Sequence, residues 1–279
     1  MNFEEIKNEF DKDDDIFKLK EVKYIREHKD EMIDQLLQVI EDYTNNIDID
    51  NDIPISVLYS LFLLSEFREQ RLFPYLIKML HYKDPKYDFF DIYGEGICEN
   101  FPEFLASTFN GDIESINNVI ESDETTDDAK EYAISMYSYF LYKGIKERNE
   151  VVTYLEKNIN YILELAEKKV YSDYFVLGIL QIILDNHLEE LLDIVKKLYE
   201  NDLVDYFMYG SYEDYSRLVK DKEKKHRHGS FVITDTVKEF SSWAMFKKQN
   251  DKQKPKKSKS NKRKKQPKTN YKNKKKKKK

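Results

Sequence analysis

The fold is decided by the stretch Ile53-Pro54-Ile55-Ser56-Val57-Leu58-Tyr59-Ser60-Leu61-Phe62-Leu63-Leu64. Apolar side chains fill most of its positions, and the pattern predicts a helix over 55–68. A second apolar segment, Leu72–His81, follows after a short polar link. Pro54 and Pro74 stand at the start of these two segments, where proline suits a first helical turn. The two segments therefore predict a helical hairpin.

Helical periodicity continues on both sides of this hairpin. Upstream, the spacing i, i+3, i+4, i+7 of one helix face is kept by Met32, Ile33, Leu36, Leu37, Ile40 and Tyr43. Downstream, further helices are predicted at 103–109, 113–121, 126–142, 150–168, 174–186 and 188–201. Only seven glycines and six prolines occur in 279 residues, which argues against a sheet with many tight turns. We therefore expect an all-α protein.

The predicted helices follow one another as pairs joined by short polar turns. Corresponding core positions fall at uneven separations, at Leu61, Leu105, Ile134 and Leu177. Such a degenerate repeat is typical of HEAT-like units, whereas tetratricopeptide and ankyrin arrays keep strict signatures. The sequence thus predicts a HEAT-like helical-repeat solenoid of paired antiparallel helices.

Three parts of the chain are expected to differ in their organisation. A HEAT-like helical domain takes residues 1–210, with its core at 30–210. A C-terminal helical extension follows at 211–250 and contains an amphipathic helix, Asp235–Lys248, that holds the only tryptophan. Residues 251–279 are rich in lysine and have no apolar periodicity, so we expect a disordered basic tail.

Charge is divided unevenly between this tail and the rest of the chain. The formal net charge of −6 combines 47 Lys and Arg with 53 Asp and Glu residues. Of these, 17 basic residues and one acidic residue lie in 251–279, which gives the tail a charge of +16 and residues 1–250 a charge of −22. The chain therefore joins an acidic body to a polycation.

The tail is the candidate nucleic-acid-binding segment. Flexible lysine-rich segments bind phosphate backbones through counterion release and read little sequence. The candidate contacts are Lys256, Lys257, Lys259, Lys262, Arg263, Lys264 and Lys265. Anionic membrane surfaces, acidic protein partners and the protein's own acidic body are other targets, and compositional drift towards lysine is a further alternative.

Patterns for catalysis or metal binding are not found. Cys98 is the only cysteine, so no intramolecular disulfide or cysteine-based zinc site can form, and we interpret it as a small buried hydrophobe. His226 and His228 lack further ligands and are interpreted as part of a polar linker. Gly94-Glu95-Gly96 lacks the strand and third glycine of a phosphate loop, so it predicts a helix break. We expect no cofactor, no metal and no catalytic residue.

We expect a soluble, cytoplasmic protein. The first residues, Met-Asn-Phe-Glu-Glu-Ile-Lys, lack the basic and apolar regions of a signal peptide. The longest apolar stretches, Ile55–Leu64 and Tyr174–Leu184, are too short to cross a bilayer. A single cysteine fits a reducing compartment.

Three segments carry a family resemblance: Ile53–Leu64 with Phe73–Ile77, Leu105-Ala106-Ser107 before Asn110-Gly111-Asp112, and Asp235-Thr236 ahead of Trp243. Together they resemble an uncharacterised family of bacterial proteins, a domain of unknown function with HEAT-like helical folds. The resemblance covers roughly residues 30–245. Its motifs are mostly packing positions, so it implies a fold more than a function.

Many members of that family end in a cysteine-rich zinc motif similar to the one at the C-terminus of the SecA motor. This sequence departs from that pattern, because Lys256–Lys259 and Lys262–Lys265 stand where Cys-Pro-Cys-Gly and Cys-Cys are expected. The zinc site that the resemblance implies therefore has no cysteine ligands here, and only a basic character is kept.

These observations favour a non-enzymatic interaction scaffold. A curved stack of helix pairs offers a groove to a protein or peptide, and the basic tail would bind RNA or ribosomes. An enzyme or small-molecule site in the groove is an alternative, and it needs acidic and aromatic side chains with shifted pKa values to converge. A structural subunit of a larger complex is another, which an exposed apolar patch on the Trp243 helix would favour.

Overall fold

The computed structural model describes residues 1–12, 14–49, 51–167, 173–223, 230–243 and 246. All regular structure within these ranges is helical, which confirms the all-α prediction. None of the helices in these ranges is long and apolar enough to cross a bilayer. The predicted disordered tail and the two histidines of the predicted polar linker lie outside the described residues.

The helices of the first half are α1 (Phe3–Phe10), α2 (Leu19–Glu27), α3 (Lys29–Asn45), α4 (Ile55–Phe67), α5 (Phe73–His81), α6 (Phe89–Cys98), α7 (Phe101–Thr108) and α8 (Ile113–Glu121). Those of the second half are α9 (Asp127–Lys143), α10 (Arg148–Glu167), α11 (Asp173–Asp185), α12 (Leu192–Glu200), α13 (Tyr206–Tyr209), α14 (Tyr212–Lys220) and α15 (Thr236–Ser242). Short 3-10 turns lead directly into α5 and α12, at Gln70–Leu72 and Glu189–Leu191.

Several helices begin and end at residues that cap helices well. Pro54 immediately precedes α4, and the left-handed backbone of Arg68 (φ 60°) ends it. The side chains of Asp112 and Thr126 accept backbone N–H bonds in the first turns of α8 and α9. Gly144 ends α9 with a left-handed φ of 64°, which glycine adopts without steric cost. The predicted bounds of these three helices are therefore correct to within one residue.

Helix α4 lies at the centre of the first half. Every side chain from Ser56 to Ser65 is buried, and α1, α3, α7 and α15 pack around it. This arrangement follows from its composition, because a helix with no polar face must be covered on all sides. The hydroxyl of Ser60 is satisfied within the helix, since it donates to the Ser56 carbonyl at 2.7 Å.

Helix α9 has a similar central position in the second half. It contacts α7, α8, α10 and α11, so it connects the two halves of the hydrophobic core. Three of the four predicted core positions, Leu61, Leu105 and Ile134, are fully buried. The fourth, Leu177 on α11, is only half-buried. The sequence pattern therefore places three of these four core positions correctly.

The chain returns to its N-terminal half near the end of the described residues. The Arg26 guanidinium of α2 joins the carboxylate of Glu66, at 2.7 Å, to that of Asp235, at 2.6 Å. The hydrogen bond from Arg26 holds the pKa of Asp235 below its usual range. Arg68 donates to the backbone carbonyl of Ile233 at 2.7 Å. These polar contacts hold the segment before α15 against α2 and α4.

An aromatic cluster completes this contact. Phe240 of α15 is fully buried, and its ring centroid lies 4.9 Å from that of Tyr59 and 4.6 Å from that of Phe62, in edge-to-face geometry. The Trp243 indole covers Gly96 of α6, where an added Cβ would lie 3.0 Å from the ring. Aromatic pairs of this kind contribute about 0.5–1.5 kcal/mol beyond their buried area. Helix α15 is therefore held by the core of the first half.

We expect Phe240→Ala to lower the free energy of unfolding by about 3–5 kcal/mol, because it leaves a cavity among packed aromatic rings. Urea denaturation followed by circular dichroism measures this loss.

Phe207→Ala is the matched control, because it removes the same atoms from a side chain that is 95% exposed. Its effect on the free energy of unfolding should stay within about 0.5 kcal/mol. Equal losses in the two variants would contradict the packing of α15 on α4.

Candidate functional site

A cleft of about 360 Å³ opens between α6, α7, α9 and α11. Four carboxylates line it, those of Glu99, Glu103, Glu131 and Asp185. Its uncharged polar side chains are Tyr132, Ser135, Ser138 and Gln181. Among the residues that the structure describes, no lysine or arginine lines it. The cleft is therefore a concave surface of one sign of charge, which focuses the field on a cationic ligand.

Helix ends and helical spacing in the sequence determine where the lining residues of this cleft lie. Glu99 is the C-cap residue of α6, and Pro102 lies in the first turn of α7, which begins directly afterwards. On α9, Glu131, Ser135 and Ser138 recur at i, i+4 and i+7, so they lie on one face of the helix. This polar stripe on α9 forms the floor of the cleft.

Gly178 lets α11 approach this stripe closely. A Cβ at this position would lie 2.9 Å from the Cγ atom of Glu131 and 3.4 Å from its Cα atom. Any larger residue would push the two helices apart or displace the glutamate. The glycine therefore sets both the width of the cleft and the burial of Glu131.

Glu131 is the side chain of the cleft with the most distinctive chemistry. Burial raises its pKa to about 7, and the negative charge of Asp128 adds to the rise. The pKa of Asp128 is itself raised, by burial and by the charges of Asp88 and Asp127. Within the described part of the chain, Glu131 forms no ion pair or side-chain hydrogen bond. At neutral pH it is therefore close to the midpoint of its titration, where a carboxyl group can hold or release a proton.

A hydrogen-bonded chain forms one edge of the cleft. The Tyr209 hydroxyl donates to Oε1 of Gln181 at 3.0 Å, and Nε2 of Gln181 donates to Asp185 at 2.7 Å. Burial raises the pKa of Tyr209, and the charges of Asp185 and Glu131 add to the rise. The hydroxyl of Tyr209 therefore stays protonated and lies within the field of the cleft carboxylates.

Large apolar side chains lie exposed beside this edge. Tyr206, Phe207 and Met208 precede Tyr209 in the short helix α13 and are 66%, 95% and 60% exposed. Contiguous exposed apolar residues are typical of surfaces that contact another molecule. These exposed apolar side chains thus belong to the same short helix as Tyr209, which donates to Gln181 of the cleft.

Cys98 lies at the cleft but is not suited to nucleophilic chemistry. The thiol is buried and donates to the Phe89 carbonyl at 3.6 Å. Burial raises its pKa to about 12, so the reactive thiolate is not populated at neutral pH. The interpretation of Cys98 as a small buried hydrophobe is confirmed.

The other residues singled out in the sequence have mixed outcomes. The predicted break at Gly94-Glu95-Gly96 is confirmed, because Gly94 has a φ of 68° and interrupts α6. The seven basic residues of the predicted nucleic-acid contact, Lys256 to Lys265, lie outside the described residues, so their role stays a prediction. Within the described ranges, no group of three or more His, Cys, Asp or Glu side chains could hold a metal ion.

The cleft itself was missed by sequence reasoning. A usable signal existed, because Glu131, Ser135 and Ser138 form a polar stripe on a helix whose other buried positions are mostly apolar. A single glycine, Gly178, within the apolar α11 was a second signal, since it marks a close approach between helices. Neither signal shows which helices face each other, so neither locates a cleft alone.

Fold and cleft together define an all-helical protein with an acidic cleft. The chain belongs to the family DUF1186, proteins of unknown function, which it matches over residues 1–247. The resemblance to an uncharacterised bacterial family is thus confirmed. Two similar uncharacterised proteins come from Chlamydia trachomatis serovar D and Chlamydia muridarum, each 25% identical over 75% of this chain and over 82% and 83% of their own lengths. No solved structure matches the chain.

We expect Glu131→Gln to change how stability depends on pH. The pKa of Glu131 is about 7 in the folded protein and 4.5 for an ordinary glutamate, so between these values the carboxyl group binds more protons in the folded than in the unfolded chain. The free energy of unfolding of the wild type therefore falls as pH rises through this window. The free energy of unfolding of the variant, compared with that of the wild type at the same pH, should therefore rise by about 2–3 kcal/mol from about pH 4 to about pH 8. Urea denaturation measures this difference.

Glu156→Gln on α10 is the control, because it makes the same change at an exposed position outside the cleft. Its difference from the wild type should not follow the same pH curve. A pH-independent difference for Glu131→Gln would show that the carboxyl group is not desolvated.

Proposed function

We propose that this protein is a non-enzymatic interaction scaffold of the cytoplasm, with a cleft for a protein segment and a tail that binds RNA or ribosomes. The observation that carries the proposal is the division of charge. A body of −22 contains a cleft lined by four carboxylates, and a tail of +16 follows it. Two surfaces of opposite sign on one chain suit a protein that brings two different partners together.

The helices are proposed to form HEAT-like pairs of a short solenoid. Support comes from packing between helices that are close in sequence. The successive helices α3 and α4 pack together, as do α8 and α9, and α9 also packs on α11, the second helix after it. The contact of α15 with α4 departs from a linear array. In such a solenoid the groove remains, and the segment that returns to α4 covers part of the first helices.

A basic protein segment is the partner that fits the cleft. The carboxylates of Glu99 and Glu131 can pair with lysine or arginine, and charge-assisted hydrogen bonds of this kind are stronger than neutral ones. Exposed aromatic faces at Tyr206 and Phe207 add apolar contact and can hold a cation over the ring. This combination favours a segment with both basic and apolar side chains.

RNA is the partner proposed for the tail. The tail has many lysines and one aromatic residue, Tyr271, so it can neutralise phosphates but offers little base stacking. Binding would be salt-dependent and nearly independent of sequence. Membranes and acidic proteins are the other anionic targets, and the experiments below separate them from RNA.

We expect replacement of the seven candidate tail contacts by glutamine to flatten the salt dependence of RNA binding. Each phosphate contact to a single strand contributes about −0.7 to the slope of log K against log salt, so the loss of seven contacts reduces the slope by up to about 5. Filter binding of the full-length protein to single-stranded RNA, between about 50 and about 200 mM salt, measures this slope.

The control replaces the same number of exposed body lysines by glutamine, at Lys20, Lys23, Lys86, Lys143, Lys196, Lys197 and Lys238. This variant should keep most of the wild-type slope, although it has the same net charge as the tail variant. Equal, salt-insensitive affinities of the wild type and the tail variant would remove the tail from the proposal. Anionic and neutral lipid vesicles, used in parallel, report on the membrane alternative.

A small-molecule or enzymatic site in the cleft is a second candidate. One observation favours it, the raised pKa of Glu131 beside Tyr132 and Tyr209. Spermidine and arginine serve as small cationic probes in a thermal-shift assay, next to a peptide of alternating lysine and tyrosine. A saturable response to the small cations that Glu131→Gln abolishes would favour this candidate. A response to the peptide alone would favour the scaffold.

The structural-subunit alternative has less support. It would gain from an exposed apolar patch on the Trp243 helix, but Phe240 and Phe246 are buried and pack against Trp243. The exposed side chains of α13 are a different surface that could join a larger assembly. Analytical ultracentrifugation of wild type and Phe207→Ser would detect self-assembly through α13.

A further inference from the structure

We infer that the lysine-rich tail of this protein docks in its own acidic cleft, and that RNA competes with the cleft for the tail. The inference rests on the proposed function, because it joins the two surfaces named there. The occupant of the cleft is the segment 256–265 of the same chain.

Charge complementarity is the first argument. Six lysines and one arginine lie within the ten residues 256–265, and the cleft presents four carboxylates and, in the described part of the chain, no basic lining residue. Unbranched lysine side chains fit a cleft of about 360 Å³, because their stems cover apolar lining while their ammonium groups reach carboxylates.

The position where the described chain ends is the second argument. Phe246, the last described residue, lies with its ring centroid 6.3 Å from that of Trp243, and the Trp243 indole lies against Gly96 of α6. Glu99, three residues further along from Gly96, lines the cleft. Three helical residues span about 4.5 Å, and a helix is about 10–12 Å wide. The nine residues 247–255 reach up to about 30 Å when extended. The tail can therefore enter the cleft while α15 keeps its place on α4.

Selectivity among acidic residues is the third argument. Many other carboxylates of the body already have cationic partners, such as Glu69 with Arg71, and also Glu66, Glu121 and Glu190. Glu99 and Glu131 form no ion pair within the described residues. Burial of Glu131 raises its pKa, and an ammonium group in the cleft would offset that cost and favour the charged form.

Docking within one chain has a consequence for RNA binding. A short tether gives an effective concentration in the millimolar range, so weak pairing is enough to keep the tail in the cleft. The apparent affinity for RNA is then the intrinsic affinity multiplied by the fraction of tails that are free. If about one tail in five is free, opening the cleft raises RNA affinity about fivefold.

Carbodiimide cross-linking tests the inference, because it joins a lysine amine to a carboxylate only when the two are in contact. The full-length protein is cross-linked as a mixture of isotopically heavy and light copies, and linked peptides are identified by mass spectrometry. We expect tail lysines joined to cleft carboxylates within one copy, and excess single-stranded RNA should remove these links. The variant Glu99→Gln/Glu131→Gln should lose most tail links to Glu103 and Asp185 and bind RNA about fivefold more tightly.

The matched variant Glu114→Gln/Glu156→Gln, with the same charge change at exposed positions on α8 and α10, should leave both measurements unchanged. Tail links spread evenly over the acidic surface, with equal RNA affinity in both double variants, would overturn the docking even if the salt slope confirms RNA binding. Links mainly between heavy and light copies would overturn docking within one chain. If cleft links form but RNA neither displaces them nor binds the protein, the docking stands. The proposed role of the tail in RNA binding is then wrong.

Discussion

Helix α4 is apolar around its whole circumference, and its need for cover organises the rest of the first half. Exposure of any of its faces to solvent is unfavourable, because each exposed apolar side chain costs roughly 1.5–3 kcal/mol relative to burial. Neighbouring helices cover part of it, and the ring of Phe240, from far along the chain, covers Tyr59 and Phe62. The position of Trp243 against α6 follows from this packing.

Much of the fold could be predicted because its signals are local. Caps such as Asp112, Thr126 and Gly144 act within a few residues, and apolar periodicity shows which face of a helix is buried. Neither signal shows which partner covers that face. The pairing of Arg26 with Asp235 and the seat of Phe240 depend on contacts between distant parts of the chain, so the sequence alone could not place α15 on α4.

The cleft was harder to predict for a related reason. Carboxylates occur throughout this chain, and their chemistry depends on whether a cation or water surrounds them. Glu131 lies on α9 and is desolvated beside Gly178, whereas Glu69 precedes the 3-10 turn Gln70–Leu72 and pairs with Arg71. Arg71 lies only two residues from Glu69, so that ion pair is local. The burial of Glu131, which has no ion pair among the described residues, depends instead on how closely α11 packs on α9.

The return of the C-terminal segment also introduces a delay during synthesis, between the appearance of α4 and that of the segment that packs on it. Thr236 donates its backbone N–H to Glu66, 170 residues earlier in the chain. At synthesis rates of about 5–20 residues per second, that separation corresponds to roughly 10–30 s. During this interval the nascent first half lacks the Phe240 ring, which packs on Tyr59 and Phe62 of α4 in the folded protein. The contacts of α15, the last of the described helices, complete this packing only after that delay, so a chaperone has a defined period in which to bind that face of α4.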